Sequence, residues 1–195
     1  MFEIDINNQQ TCVPVNVQEL RQALLVALNL EAVESAVLSV SIVDNETIHR
    51  INREHLQHDY PTDVISFQLD FSFSSSDDME VSHDAEGADT DTEEFPDTQA
   101  DWLPADEITD DDPRPAAGAA IEGEIIASAE MAYQMAAEGA WSPGSELLLY
   151  VIHGLLHICG YDDLSAADKA VMRSREKLIL EALGLNPVYP QDDAI

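Results

Sequence analysis

Basic residues are scarce in this chain: 8 Lys and Arg stand against 39 Asp and Glu in 195 residues, a formal net charge of −31. Polyanion binding draws on counterion release by Lys and Arg facing phosphates, so this balance speaks first against a nucleic-acid binder. Cysteine is almost absent. Cys12 and Cys159 are too few for a disulfide framework, which leads to the expectation of a cytoplasmic protein. No apolar run approaches the roughly 18 to 20 residues that span a bilayer, so no membrane partner is expected. The opening Met-Phe-Glu-Ile-Asp lacks the basic, apolar and small-residue sections of a secretory signal. Hydrophobic residues are not scarce: at 45 % they suffice for one ordinary domain with a buried core, and exclude a chain disordered throughout.

The acidity is uneven. Between Arg53 and Arg114 there is no Lys or Arg, and Asp77 to Asp112 carries 16 acidic residues, leaving −15 of the −31 for the rest. Ser, Thr, Gly, Ala and Pro fill most of the other positions there. Charge of one sign with little apolar surface cannot offset the entropy of ordering. Residues 71–118 are therefore expected to form a disordered acidic insertion within a single domain of residues 1–195. Phe95, Trp102 and Leu103 are its candidate anchors, and Pro113 and Pro115 mark its return. It is either a solvated loop or a regulatory or partner-binding segment.

The flanks alternate helix and strand signals. Val17, Leu20, Leu24 and Leu28 recur at helical spacing, predicting a helix over 17–30. Leu38, Val40 and Ile42 alternate with serines as a half-buried strand. Asp44 and Asn45 can cap a helix carrying Ile48, Ile51 and His55. Strands are expected at 62–69 and 123–128, then helices at 129–139, 144–158 and 165–183, the last opened by Ser165 and Asp168. The fold class this predicts is α+β, with a small mixed sheet packed against helices.

Chemistry concentrates in His153-Gly-Leu-Leu-His157-Ile-Cys-Gly160-Tyr-Asp162-Asp163. Positions i and i+4 put both imidazoles on one helix face, where they can meet one metal ion. Gly160 can adopt the left-handed conformation that ends a helix and turns the chain, bringing Asp163 toward the same point. Two imidazoles and a carboxylate suit Zn²⁺ and leave a fourth position for water, whose acidity the ion raises. A bare His pair at this spacing is more often packing than a site; the glycine and third ligand strengthen it. The spacing also occurs in HExxHxxGxxH peptidases, whose Glu is the general base. Here that position is Gly154, which can take no proton.

Three segments carry a family resemblance. His153-Gly-x-Leu-His157-x-x-Gly160-Tyr161-Asp162 resembles the signature of the YbeY family of bacterial rRNA maturation factors, regarded as metal-dependent endoribonucleases. Asn52, followed by Asp59-Tyr-Pro61-Thr62-Asp63-Val64-Ile65-Ser66-Phe67, is similar to that family's Asn…Lys-Asp-x-Pro-Thr-Asp-Val-Leu-Ser-Phe block. Gly123-Glu124-Ile125 stands where the family has Gly-Asp-Ile, and Met172, Glu176, Ile179, Leu180, Leu183 and Gly184 follow its last helix. The resemblance spans nearly the whole chain outside the insertion. It implies an α+β fold with a zincin-like metal site, one Zn²⁺ held by His153, His157 and Asp163, and a cytoplasmic role in ribosomal RNA processing. Its implied partners are ribosomal RNA and the small ribosomal subunit or its assembly factors.

Two departures matter. The family's third ligand is His and here it is Asp163, itself a competent zinc ligand. The family's Tyr-Arg is replaced by His55-Leu56, with His58 close behind. A guanidinium there would hold a phosphate; Leu56 cannot. His55 and His58 are candidate catalytic replacements, or surface and packing residues. For RNA contact the candidates are Lys169, Arg173 and Lys177 at i, i+4 and i+8, with Arg50 and Arg53 as a second spot; the alternative is that they offset nearby acids. Arg175 falls in the apolar sector and is expected to be paired or snorkelling and not in contact with a ligand. Thr62 and Ser66 can line a groove or serve the turn and packing. Asp63 is expected to hold the local turn or the fold, against binding the metal, and as an outer partner it would fix an imidazole's tautomer. Cys159 points away from the His pair and is expected as a buried structural thiol, against a fourth ligand. The expected function is a single-strand-specific, zinc-dependent endoribonuclease in late small-subunit rRNA 3′ maturation and ribosome quality control. The alternatives are a metal-dependent hydrolase of another substrate, or a non-catalytic assembly factor with structural zinc.

Overall fold

The computed structural model of the protein describes residues 1–73, 114–139 and 141–187. Most of the acidic stretch expected as an insertion lies outside them. Chain order is β1 (Phe2–Asn8), α1 (Val17–Leu30), β2 (Ser35–Val43), α2 (Asn45–Ile51), a π-helical turn (Asn52–Leu56), β3 (Val64–Phe73), β4 (Ala119–Ser128), α3 (Ala129–Gly139), α4 (Pro143–Ile158) and α5 (Ala166–Ala182). The strands form one sheet in the order β1-β2-β4-β3. β1 and β4 run parallel to β2, while β3 is antiparallel to β4 at the edge. The sheet is therefore mixed and the class α+β, as expected.

Helix starts follow from the sequence. The side chains of Asn16, Asp44, Ser142 and Ser165 accept backbone N–H groups that the first turns of α1, α2, α4 and α5 leave without helical partners. Helix α4 is apolar on nearly every side and sits at the centre: Leu148, Val151, Ile152, Leu155, Leu156 and Ile158 are buried in one core with Leu24 and Leu28 of α1, Val40 of β2 and Ile125 of β4. A helix so enclosed holds a polar side chain only where something nearby satisfies it.

Three features differ from expectation. β1 was not anticipated, although Phe2, Ile4 and Ile6 alternate with Glu3 and Asp5. β3 starts two residues later than the expected 62 and runs to Phe73, because Phe71 packs on the core and β4 pairs with it down to Ala119. Residues 71–73 thus belong to the sheet, and Arg114–Gly118 leads into β4, with the Arg114 guanidinium bonded to the Leu30 carbonyl at 2.5 Å. The irregularity between Gln68 and Asp70 in the β3–β4 register is a bulge that leaves Leu69 outside the regular pairing. Gln68 reaches the opposite way, donating to the Ile158 carbonyl at 2.8 Å and satisfying one acceptor at the end of α4.

Candidate metal centre

His153 and His157 stand one turn apart on α4, their rings 4.6 Å apart between centroids and nearly perpendicular. Their Nε2 atoms are 3.0 Å apart. Asp163 places one carboxylate oxygen 3.8 Å from His153 Nε2 and the other 3.9 Å from His157 Nε2. Ligand atoms of the three residues lie within 4.8 Å of one another. Tetrahedral bonds of about 2.0–2.1 Å place ligand atoms about 3.3 Å apart, and the observed spacings fall on either side of that value.

The far nitrogens show why the Nε2 atoms are available. His157 Nδ1 donates to the Tyr161 carbonyl at 3.1 Å; a carbonyl has no proton to give, so Nδ1 carries it. His153 Nδ1 meets Glu176 Oε1 at 2.6 Å. Both imidazoles are thereby oriented with Nε2 lone pairs facing Asp163, the arrangement that outer partners impose on metal-binding histidines. Burial alone lowers the His153 pKa. The hydrogen bond and charge of Glu176, helped by Asp163 and Asp63, outweigh it and raise the pKa overall. A metal ion there displaces a proton that the site would otherwise favour.

The turn that delivers Asp163 depends on Gly160, at φ +94°, a conformation costly for any residue with a Cβ. Tyr161 then dips back into the core, and its hydroxyl donates to Glu31 Oε2 at 2.8 Å. Glu31 is fully buried, at 0 % exposure. Its other oxygen accepts from Arg175 Nε and Nη2 at 3.0 and 2.8 Å. Arg175 is paired, as its phase on α5 predicts, and its neighbour Glu176 is the group on His153. One buried network thus joins the end of α1, the turn and α5, and it ends on the supports of both imidazoles.

Gly154 has a packing reason. A Cβ there would lie 3.1 Å from methyl groups of both Ile125 and Val64, because α4 presses on β3 and β4 at this point. A side chain at 154 would press into the helix–sheet contact, so packing as well as composition accounts for the missing peptidase-type base.

The other sequence candidates divide clearly. Lys169 and Arg173 line a cleft of about 200 Å³ together with His153, Asp163 and Glu176. Lys177 is exposed one turn further along α5 and is not among the cleft residues. Arg50 pairs with Glu54 at 3.7 Å and Arg53 with Asp59 at 3.9 Å, all on exposed side chains. His55 packs edge-on against Phe67, His58 stacks on Tyr60, and Leu56 is exposed; none of the three lines the cleft. Asp63 lines it, but its carboxylate accepts from Thr62 Oγ1 and the Val64 amide, the turn-holding alternative. The imidazole partner is Glu176, which was passed over as part of a helix pattern. Its signal was present: a carboxylate in phase with Met172 and Ile179 on a buried stripe needs a partner. Cys159 is fully buried in the apolar core, which pushes its thiol pKa up and keeps it protonated.

Fold and site together define an α+β protein whose His-His-Asp group can hold a metal ion at the mouth of a cleft. Comparison with known proteins gives the family. The family model described as Endoribonuclease YbeY matches residues 4–184. A Rhodopirellula baltica protein named endoribonuclease YbeY is 33 % identical over 193 residues, covering 98 % of this chain and 76 % of the relative. A Bacillus licheniformis protein of the same name is 32 % identical over 185 residues, covering 94 % and 96 %. A solution structure of a Thermotoga maritima protein matches with a TM-score of 0.50 at 18 % identity, covering 100 % of this chain and 99 % of that one, a likeness of fold. The chain belongs to the YbeY endoribonuclease family. Among the described residues no helix is long and apolar enough to cross a membrane.

Proposed function

We propose that this protein is a zinc-dependent endoribonuclease specific for single strands, acting in the cytoplasm on ribosomal RNA near the 3′ end of the small subunit and in ribosome quality control, in contact with that subunit or its assembly factors. The observation that carries the metal assignment is the double support of the imidazoles, Glu176 on His153 Nδ1 and the Tyr161 carbonyl on His157 Nδ1, with both Nε2 atoms facing Asp163. Three donors of nitrogen and carboxylate type with one side open suit Zn²⁺ in a zincin-like site. When bound, the ion supplies Lewis-acid polarisation of a phosphoryl oxygen and a more acidic water. The chain's own residues orient and exclude. Glu176 and Tyr161 fix the imidazole planes, Asp163 anchors the turn against them, and Leu149, Tyr150 and Met172 give the cleft an apolar wall. The other lining carboxylates are engaged, Glu176 by His153 and Asp63 by Thr62 and Val64, and the attacking group is either water or the RNA's own 2′-hydroxyl.

The test is cleavage of single-stranded RNA by the purified full chain. The expected result is cutting of single-stranded but not duplex RNA, lost on chelation and restored by zinc, with denatured protein left intact. Full zinc occupancy and ribosome association without cleavage at any metal would instead establish a non-catalytic assembly factor. Cutting of protein would establish another hydrolase.

A further inference from the structure

The cleft beside the metal centre has a mixed lining. Besides the His153 imidazole it presents the carboxyl groups of Asp63, Asp163 and Glu176, and two cations, Lys169 and Arg173. The cations are four residues apart on α5, so they project from one face of the helix, one turn apart. Both are half-buried. A second groove, of about 390 Å³, runs along the start of α5 and shares Asp163, Lys169 and Arg173 with the first. The two cations and Asp163 therefore stand where the grooves meet, so a chain-like ligand crossing the metal centre continues past them.

Resting on the reading of the site as a ribonuclease centre, we propose that Lys169 and Arg173 form a phosphate clamp that holds single-stranded RNA by a backbone phosphate next to the metal site, and that the clamp acts only when the metal is bound. The electrostatics set the condition. Three carboxylates stand against two cations in the cleft and oppose a phosphate, and a divalent ion beside them adds two positive charges that offset this. Arg173 offers a planar fork that matches two phosphate oxygens, and Lys169 adds a mobile point charge. Arg50 and Arg53 share the helical spacing but do not line the cleft. On a chain of net charge −31, this confines the attraction for RNA to one place and gates it by the metal.

The test is fluorescence anisotropy of a fully 2′-O-methylated single-stranded RNA, checked by gel to be intact after each run, with the full-length protein. It is run with zinc and after chelation, across a salt series, with zinc content measured for every variant. With zinc, Arg173→Gln and Lys169→Gln are each expected to weaken binding on the order of 10-fold. The double variant is expected to lower the log–log salt slope by about 0.7, the value for one single-strand phosphate contact. Arg173→Lys is expected to recover part of the loss, and Lys177→Ala to change affinity less than about 2-fold, since a charge at an exposed site counts for little. Wild-type protein stripped of zinc should bind weakly. An unchanged affinity and slope in the double variant with zinc retained, or an equal loss in Lys177→Ala, would overturn the clamp while leaving the ribonuclease reading intact. Zinc-loaded wild-type protein that neither binds nor cuts single-stranded RNA would overturn that reading, and the clamp with it.

Discussion

Two regions of this molecule carry the same kinds of residue and use them differently. The α2 end, with its π-helical turn, has Arg50, Arg53, His55 and His58; the α4–α5 end has Lys169, Arg173, His153 and His157. At the α2 end the arginines meet exposed carboxylates close in sequence, Glu54 and Asp59, and the histidines meet rings, His55 that of the half-buried Phe67 and His58 that of the exposed Tyr60. At the other end the partners come from distant segments and are buried, as with Glu31 for Arg175 and Glu176 for His153. Exposed pairs of this sort contribute little, and their geometry is loose. Buried, cross-linked partners hold side chains to a fixed geometry, as a metal site requires. Residue type and spacing alone do not separate the two ends; the partner set does.

The largest effect should follow from removing a proposed ligand at the buried end. His157→Ala is expected to take zinc content from one ion per chain to near zero by elemental analysis, because two remaining donors do not complete a site. Unchanged stoichiometry would remove the site. The corresponding His58→Ala at the α2 end should leave zinc content untouched, and a loss there would erase the distinction. Asp163→His, which restores a third imidazole, should preserve or tighten binding; loss of zinc would mean that the turn does not deliver position 163 to the ion.

Next comes the network beneath the site. Arg175→Met leaves Glu31 buried at 0 % exposure with only Tyr161 as a partner, and breaking such a pair costs about 3 to 5 kcal/mol. Chemical denaturation should show that loss, and Glu31→Leu added to Arg175→Met should recover much of it, since an apolar replacement of both members removes the uncompensated charge. If Arg175→Met were neutral, the buried end would be no more tightly determined than the exposed one.

A smaller effect is expected at Glu176. Glu176→Gln keeps an acceptor for His153 Nδ1–H but removes the charge. Loss of an outer partner of this type lowers metal affinity by about 10- to 100-fold, measurable by competition with a chelator. The variant should also lower the His153 pKa in the metal-free protein, because burial would then act with less opposition. An unaltered zinc affinity would show that Glu176 serves the fold and not the site.

Local physics was legible in the sequence and distant pairing was not. The start of α1 after Asn16, the cap at Asp44, α5 after Ser165 and the His pair on one face of α4 all follow from spacing and side-chain chemistry within a few residues. The reason for Gly154 lay elsewhere, in Ile125 and Val64 of two strands. So did the identity of the His153 partner, 23 residues away, and that of the Arg175 partner, 144 residues away. No periodicity reports such pairs. What the sequence does report is the anomaly: Arg175 and Glu176 stand in the apolar sector of α5, and a charge there implies a partner somewhere. β1 was missed for a different reason, since three alternating apolar residues at the start of a chain are a short signal until β2 pairs with them.

The smallest effect belongs to the α2 end, where Asp44 caps the helix that leads to the π-helical turn. Its carboxylate accepts the Thr47 amide at 2.8 Å, and hydrogen bonds from the Thr47 side chain and backbone hold its pKa below the usual carboxylate range. A carboxyl group depressed in the folded state contributes stability that is present above its unfolded pKa and lost as pH falls through the folded value. Asp44→Ala should therefore cost about 1 kcal/mol near neutral pH, the usual value of such a cap. The gap from wild type should close as pH drops below about 3.9, where the unfolded carboxyl protonates. Asp44→Asn keeps a capping acceptor without the titration, and should hold most of the stability across that range. Zinc content should not change in either variant. A fall in zinc with Asp44→Ala would mean that the two ends are mechanically coupled, and that the exposed end is part of the metal centre's support after all.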